Sequence, residues 1–271
     1  MYDVFISTMS SVKEKFVIPS LTGGLGSRLF QIASAISYGE HNKRTPILHD
    51  VFIQQDISCH VDDLFPSLEH SHDSSLLHNV TTLPDIYPLR PSVSNVVVLE
   101  GDFQDSRYFY EDVIIEFPHC FRPIPELAET AFLHIRVRDI PPERQVKLIY
   151  YYATALKKLP DSVDIMVFSD DIDWCKEHVP KMFLFIEKSR WQWEPDGLAD
   201  VEALYMMSQC KGGAICANSA FSWWGAYLGC RTVKAPVYMP IKWFLEKETK
   251  ALFVLPPWAK VIPPWAKSLL C

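Results

Sequence analysis

The sequence predicts an α/β protein with two Rossmann-like halves that face each other across a cleft. Segments typical of buried strands alternate with segments of helical apolar spacing, and prolines interrupt this alternation near residues 122–130. Alternating strands and helices form parallel sheets covered by helices. A chain of 271 residues is also long for one core. We expect an N-terminal half at residues 1–125, a C-terminal half at 126–250, and a tail at 251–271 packed back across both.

The first half begins with a β-turn-α-β unit. An apolar strand at residues 15–21 leads into the glycine turn TGGLGS, and residues 28–42 carry apolar side chains at helical spacing. A strand follows at 45–50. Residues 51–95 indicate loops and short helices, and the β-branched run at 96–101 predicts another strand.

The second half repeats the alternation more clearly. Strands are predicted at 131–137, 164–170 and 214–218, and helices at 148–160, 171–179, 201–213 and 222–229. Ligands in such sheets bind at the carboxyl ends of the strands. Polar residues that follow a predicted strand are therefore the first candidates for a site.

Composition excludes several classes of function. A net charge of −7 without a broad basic face argues against nucleic-acid or membrane-surface binding. Seven cysteines without a CxxC pair indicate free thiols in a reducing compartment. The N-terminus lacks a signal-peptide pattern, and no apolar run is long enough to span a membrane. We expect a cytoplasmic protein without a transmembrane segment, in which any anion site is local.

The segment HIRVRDI places His134, Arg136 and Arg138 at the end of a predicted strand. Arginine binds phosphate and carboxylate with two parallel hydrogen bonds. Strand alternation would put Arg136 and Arg138 on the same side. An ion pair of Arg138 with Asp139, Glu143 or a neighbouring loop is the alternative.

The segment FSDD ends another predicted strand with two carboxylates, Asp170 and Asp171. One interpretation is helix capping by Ser169 or Asp170. The other is that one aspartate accepts hydrogen bonds from a base that carries N–H and NH₂ donors, as guanine does. Two neighbouring acids make a poor magnesium site, so we expect no metal here.

Two further segments combine a turn with a helix start. The glycine turn can let a ligand approach the backbone, and the start of the later helix offers hydroxyl and N–H groups to a phosphate. The candidates are Gly23, Gly24, Gly26, Ser27 and Arg28 in the first segment and Asn218, Ser219, Phe221 and Ser222 in the second. Trp223 and Trp224 fit core packing better than stacking on a substrate. Together the strand-end motifs predict a nucleoside diphosphate held between this helix start and Arg136.

These segments resemble the α-1,2-fucosyltransferases of glycosyltransferase family 11 and, more distantly, the α-1,6- and protein O-fucosyltransferases. The chain has GGLGSRLFQ, GDFQDSRYF, HIRVRDI, FSDDIDW and NSAFSWWGAYL. The family has GGLGNQLFQ, G-Y-F-Q-S-x-x-Y-F, H-V-R-R-G-D-Y, F-S-D-D-x-x-W and N-S-S-F-S-W-W-G-A-Y-L in the same order. The resemblance covers roughly residues 15–258.

The resemblance implies a GT-B-like fold and inverting transfer of L-fucose from GDP-fucose to a glycan hydroxyl, α-1,2 to galactose. It implies no essential metal and no cofactor other than the donor substrate. It also implies that the N-terminal half, residues 1–125, is the acceptor side and that the C-terminal half, residues 126–250, binds the GDP-sugar. Arg136 would hold the donor diphosphate, His134 would lie near the guanosine, and Asp170 or Asp171 would bind guanine. Ser222 with its neighbours, Phe221 among them, would form the phosphate-binding turn.

The departures from the family pattern concern charge. Val137 replaces the second arginine and Arg138 the glycine, so Arg138 is a candidate to supply the missing charge. Ser27 and Arg28 replace asparagine and glutamine, and Arg28 is either a cleft cation or a solvated helix residue.

An inverting transfer needs a base for the acceptor hydroxyl or strong assistance to the leaving group. Asp102, which replaces a tyrosine at a strand end, is the candidate base, with Glu100 and Asp105 as weaker alternatives. The altered motifs leave two alternatives to fucosyl transfer: another GDP-sugar donor, or a nucleotide-sugar- or glycan-binding protein that has lost catalysis.

Overall fold

The structure is a computed structural model that describes residues 14–54, 61–109, 113–138, 147–243 and 255–263. The first half contains strands β1 (Phe16–Pro19), β2 (Thr45–His49), β3 (Glu69–Ser71), β4 (Val80–Pro84) and β5 (Val96–Glu100), with helices α1 (Leu25–Asn42) and α2 (Val61–Leu64). The second half contains strands β6 (Ala131–Ile135), β7 (Ile165–Ser169), β8 (Trp191–Trp193), β9 (Gly213–Ile215), β10 (Val237–Pro240) and β11 (Lys260–Ile262). Its helices are α3 (Ile149–Leu156), α4 (Ile172–Met182), α5 (Asp200–Gln209) and α6 (Ala220–Gly229).

The strands form two parallel sheets. The first has the order β3-β2-β1-β5-β4 and the second the order β11-β10-β9-β6-β7-β8. In the first sheet β2 and β3 lie on one side of β1, and β5 and β4 lie on the other. In the second sheet β7 and β8 lie on one side of β6, and β9, β10 and β11 lie on the other. The strand order therefore reverses at β1 and at β6. In open parallel sheets, ligands bind beside the carboxyl ends of such strands. The predicted α/β class is confirmed, and the boundary predicted near residues 122–130 falls between the two sheets.

Several elements differ from the sequence prediction at their ends. Helix α1 begins at Leu25 rather than at residue 28, so the second half of the glycine turn is already part of the helix. Strand β6 ends at Ile135 rather than at residue 137, and strand β9 ends at Ile215 rather than at residue 218. The alternation argument for Arg136 and Arg138 therefore does not apply, because both residues lie beyond the strand.

One apolar core joins the two halves. The ring of Phe30 on α1 lies 4.8 Å from the ring of Trp223 and 5.1 Å from that of Trp224, both on α6. The tryptophans are 1% and 0% exposed. This confirms that they pack in the core and do not stack on a substrate. Because α1 follows β1 and α6 follows β9, this contact also places the carboxyl ends of the two sheets opposite each other.

Within the described part of the tail, residues 255–263, strand β11 extends the second sheet. Strand β11 pairs in parallel with β10, and this pairing satisfies backbone groups that an edge strand would leave open. Trp258 contacts Trp223 with ring centroids 5.5 Å apart. The second copy of the PPWAK repeat, except Pro263, lies outside the described residues.

The described cysteines are free thiols, as predicted. Cys175, Cys210, Cys216 and Cys230 are buried and Cys120 is exposed. Cys59 and Cys271 lie outside the described residues. Among the helices in the described part of the chain, none has the length and apolar character needed to cross a membrane.

Candidate active site

A cavity of about 660 Å³ opens between the two halves, at the carboxyl ends of β1 and β6. Ten of the residues predicted from the sequence line it: Gly24, Gly26, Ser27, His134, Arg136, Ser169, Asp170, Asn218, Ser219 and Phe221. Six do not line it: Gly23, Arg28, Asp102, Arg138, Asp171 and Ser222. The cavity therefore brings together motifs that are up to about 200 residues apart in the sequence.

Four helices begin at the wall of this cavity. Their first turns contribute Leu25 of α1, Ile172 of α4, Asp200 of α5 and Phe221 of α6 to the lining. The Ser219 hydroxyl caps α6 by accepting a hydrogen bond from the Phe221 N–H at 3.2 Å. The free N–H groups and the dipole of a helix start favour a bound anion.

Arg136 supplies a positive charge beside the start of α6. Its Nη1 donates a hydrogen bond to the carbonyl oxygen of Asn218 at 3.2 Å. The amide nitrogen of Asn218 in turn donates to the carbonyl oxygen of Trp243 at 3.0 Å. The guanidinium group is thus held next to a helix N-terminus, where the two positive potentials add. Ser222 lies within the helix instead, fully buried, with its hydroxyl donating to the Ser219 carbonyl oxygen.

Asp170 organises the end of β6. Its two carboxylate oxygens accept hydrogen bonds from the backbone N–H groups of Val137 and Arg138 at 2.6 and 2.8 Å. These bonds join the backbone that follows β6 to the residue that directly follows β7. Both carboxylate oxygens of Asp170, one of the two predicted guanine-binding acids, therefore already accept a hydrogen bond from the protein backbone.

Asp171 has two structural contacts outside the cavity lining. One carboxylate oxygen accepts from the Trp174 N–H at 3.2 Å and so caps α4, and the other lies 2.5 Å from Nε of Arg138. The capping residue is therefore Asp171 rather than Ser169 or Asp170. The Arg138 side chain is 72% exposed. Arg138 pairs with a neighbouring loop, which is one of the two alternatives, and it does not reach the cavity.

Glu194 is a cavity residue that the sequence analysis missed. It follows β8, and one of its carboxylate oxygens accepts from the Ser169 N–H at 2.8 Å. Burial raises the pKa of Glu194 to about 7, with further increases from the nearby charges of Asp170, Asp196 and Asp200. The sequence does contain an indication of this site, since the acids Glu194, Asp196 and Asp200 follow Trp193 closely. The strand WQW has only three residues, so its carboxyl end was not recognised from the sequence.

His134 is buried in the wall beside Arg136. Its ring lies 5.9 Å from that of Phe221, and its backbone carbonyl accepts a hydrogen bond from the Tyr152 hydroxyl at 3.0 Å. Burial and the charge of Arg136 lower the pKa of His134 to about 3. The imidazole is therefore neutral near pH 7 and adds no charge to the site.

The first half contributes a backbone surface to the cavity. A Cβ atom added at Gly24 would meet nothing within 4 Å, so this residue leaves its backbone open toward the cavity. Ser27 is held by Gln104, whose amide nitrogen donates to the Ser27 hydroxyl at 3.2 Å. Gln104 also lines the cavity and was not among the predicted site residues.

Comparison with known proteins agrees with this arrangement. The family model "Glycosyl transferase family 11" matches residues 136–259. The chain is 24% identical to an α-1,2-colitosyltransferase of Escherichia coli over 293 residues, which cover 90% of this chain and 98% of the relative. It is 32% identical to the O-antigen biosynthesis glycosyltransferase WbnK of Escherichia coli over 144 residues, which cover 50% of this chain and 45% of that protein. The chain is thus similar to members of glycosyltransferase family 11.

A solved structure agrees with the fold of this chain. The crystal structure of NodZ α-1,6-fucosyltransferase soaked with GDP-fucose superposes with a TM-score of 0.50 at 16% identity. The match covers 80% of this chain and 93% of NodZ. The GT-B-like architecture that the sequence predicted is confirmed.

Two of the departures from the family 11 pattern lie away from the cavity. Arg28 is 1% exposed, and it donates to the carbonyl oxygens of Gly23 and Gln54, each at 2.9 Å. It is therefore neither a cleft cation nor a solvated residue, because its charge is used to hold the glycine turn against the loop that follows β2. Asp102 is exposed and does not line the cavity.

One group of side chains within the described ranges has the spacing of metal ligands. It comprises Asp50, His70 and His72. None of the three lines the cavity.

Proposed function

We propose that the protein is an inverting, metal-independent glycosyltransferase that moves L-fucose from GDP-fucose to a hydroxyl of a glycan acceptor, α-1,2 to galactose. The observation that carries this proposal is the polarity of the interdomain cavity. Arg136 and four helix starts line part of its wall. The lining also contains the acids Asp170, Glu194, Asp196 and Asp200. A GDP-sugar has the matching polarity, with an anionic diphosphate and a base rich in N–H donors.

Under this proposal the diphosphate binds at the start of α6. Arg136 and the first N–H groups of α6 would contact it from the second half, and the open backbone at Gly24 would approach it from the first. The bond between the sugar and the β-phosphate breaks as the acceptor oxygen attacks, so negative charge grows on the phosphate oxygens. Donors positioned in advance stabilise that charge without an ion.

Glu194 is the carboxylate best placed to bind the base. Glu194 lines the cavity. One of its carboxylate oxygens accepts from the Ser169 N–H, and the other forms no hydrogen bond with the described residues. Asp170 already binds two backbone N–H groups, and Asp171 caps a helix outside the lining. We therefore transfer the guanine-binding role from Asp170 or Asp171 to Glu194. Guanine offers a ring N–H and an amino group side by side, which one carboxylate can accept together.

The acceptor proton has no assigned base in this proposal. Asp102 lies outside the lining, and the pKa of His134 is too low for an efficient base near pH 7. The transfer then depends on assistance to the leaving diphosphate, as a dissociative transition state allows. Asp102 stays a candidate only if the bound acceptor reaches beyond the cavity.

The similarity to an α-1,2-colitosyltransferase supports a different sugar donor as an alternative to GDP-fucose. Colitose lacks one ring hydroxyl of fucose. Discrimination between two such sugars depends on the hydrogen bonds made to that hydroxyl. GDP-colitose is therefore the alternative donor to be compared directly with GDP-fucose.

The test measures GDP release from the purified chain in EDTA, with each donor and a panel of galactosides, fucosides and other sugars. GDP-mannose and UDP-galactose serve as donor controls. We expect release from GDP-fucose that rises with a galactoside acceptor, and NMR of the product should show an α-1,2 linkage. Faster release of GDP from GDP-colitose than from GDP-fucose would identify GDP-colitose as the donor. GDP binding without release from any donor would instead support the binding protein without catalysis.

A further inference from the structure

Three side chains converge outside the cavity, at the carboxyl ends of the neighbouring strands β2 and β3. Asp50 directly follows β2, His70 lies in β3 and His72 follows it. Residues two apart in an extended chain point to the same side, and the two imidazole rings are stacked with centroids 5.0 Å apart. We call these residues the Asp50–His70–His72 cluster.

The nitrogen atoms of the cluster are directed at one carboxylate. His70 Nε2 lies 2.7 Å from one oxygen of Asp50, and His72 Nδ1 contacts the other oxygen. The three ligand atoms, one from each residue, all lie within 4.8 Å of one another. Two histidines and one acid whose ligand atoms lie this close together can bind a metal ion.

The chemistry of the donor set selects the kind of ion. Two imidazole nitrogens and a carboxylate oxygen suit Zn²⁺ and related transition-metal ions, whereas Ca²⁺ and Mg²⁺ favour sites made of oxygen atoms. The other nitrogen of His70, Nδ1, faces Asp62 with 3.9 Å between Nδ1 and Oδ1. A small closure would complete the carboxylate–histidine contact that orients many metal-bound imidazoles.

We propose that the Asp50–His70–His72 cluster is a zinc site. Each of the three residues supplies one ligand atom, and water fills the fourth position of a tetrahedral ion. The side chains of His70, Asp50 and His72 are 31%, 45% and 72% exposed, which gives the ion a path from solvent. Zinc would join β3, an edge strand of three residues, to the end of β2.

This site is independent of the donor chemistry. None of its residues lines the cavity, so zinc would contribute to the stability of the first sheet and not to the transfer step. The competing explanation is that both histidines simply donate hydrogen bonds to Asp50 with no ion bound. The two explanations differ in what added zinc does.

The experiment titrates the full chain with Zn²⁺ by calorimetry after treatment with a chelator and its removal. The variants are His72→Gln and Asp50→Asn, and His119→Gln is the control because His119 is an exposed histidine outside the cluster. We expect one tight Zn²⁺ per chain in the wild type and the control, and binding weaker by at least about tenfold in the two cluster variants. Mg²⁺ should not bind at this site.

Two further measurements identify the ligands and the effect. Zinc X-ray absorption should show two imidazole ligands in the wild type and one in His72→Gln. An ion that binds only the folded state raises the melting temperature, so Zn²⁺ should raise it by several degrees in the wild type and the control but not in the cluster variants. Equal zinc affinity in the wild type and His72→Gln, or no zinc binding to the wild type, would overturn the proposal.

Discussion

Gly26 of the first half lies directly against Phe221 of the second. A Cβ atom at residue 26 would stand 2.4 Å from the backbone nitrogen of Phe221 and 2.6 Å from the carbonyl carbon of Ala220. The last glycine of the GGLG motif therefore lets the starts of α1 and α6 touch, backbone to backbone, at the cavity wall. Its neighbour Gly24 has no such contact, so the two glycines of one motif have separable purposes.

Gly26→Ala should destabilise the protein, because the added methyl group meets backbone atoms that cannot move independently. We expect a loss of about 1–3 kcal/mol in the free energy of unfolding, measured by urea denaturation. Gly24→Ala is the matched control. It should leave stability nearly unchanged and weaken GDP binding if the diphosphate approaches this backbone. Equal stability of the two variants would contradict the packing role of Gly26.

Arg136→Ala should lower the rate of transfer by about 10²-fold or more while the melting temperature changes little. The reason is the loss of the positive charge beside the α6 start, where the leaving diphosphate is proposed to bind. Initial rates and thermal unfolding check both parts. Arg138→Ala is the control, since the Arg138 side chain is 72% exposed and does not line the cavity. A comparable loss of rate in Arg138→Ala would assign that arginine to the donor after all.

GDP binding should depend on pH through Glu194. In the free protein burial raises the pKa of this carboxyl to about 7, and N–H donors of guanine would stabilise its charged form and lower the pKa on binding. Affinity should therefore be highest above pH 7 and fall as the pH drops below it. Calorimetry at pH 6, 7 and 8 measures this.

Glu194→Gln tests the same carboxyl by removing its charge. The variant should bind GDP roughly 10-fold or more weakly at pH 8, and its affinity should no longer change across pH 7. Inosine diphosphate, which lacks the amino group of guanine, should lose less affinity from this substitution than GDP does. An unchanged pH profile in the variant would assign the titration to another group.

Val137→Arg should not raise activity, although it restores the arginine found at this position in the family. The Val137 side chain packs against the core of the second half, and the residue does not line the cavity. We expect a loss of stability of about 1–3 kcal/mol, measured by denaturation, and transfer rates no higher than the wild type. Increased turnover would mean that the substituted side chain reaches the donor.

The sequence by itself determined the class of fold and predicted a candidate site at the carboxyl ends of the strands. Strand and helix periods are local properties of the chain, so the α/β alternation could be read without coordinates. The motifs of the site follow β1, β6, β7 and β9, and the topology of parallel sheets brings such ends together. The core positions of Trp223 and Trp224 likewise follow from their local pattern.

Only the tertiary structure decided which polar groups face the cavity. A donor site needs charges such as those of Arg28, Asp170 and Asp171, but each of these side chains forms hydrogen bonds with the protein backbone. Arg28 donates to the Gln54 carbonyl oxygen, Asp170 accepts from the Arg138 N–H, and Asp171 accepts from the Trp174 N–H. Glu194 was not predicted because the strand that it follows has only three residues and was not recognised in the sequence. The Asp50–His70–His72 cluster was not predicted because its residues come from two different strand ends. Charge and motif are local, whereas the direction and partners of a side chain depend on how the strands pair and where each one ends.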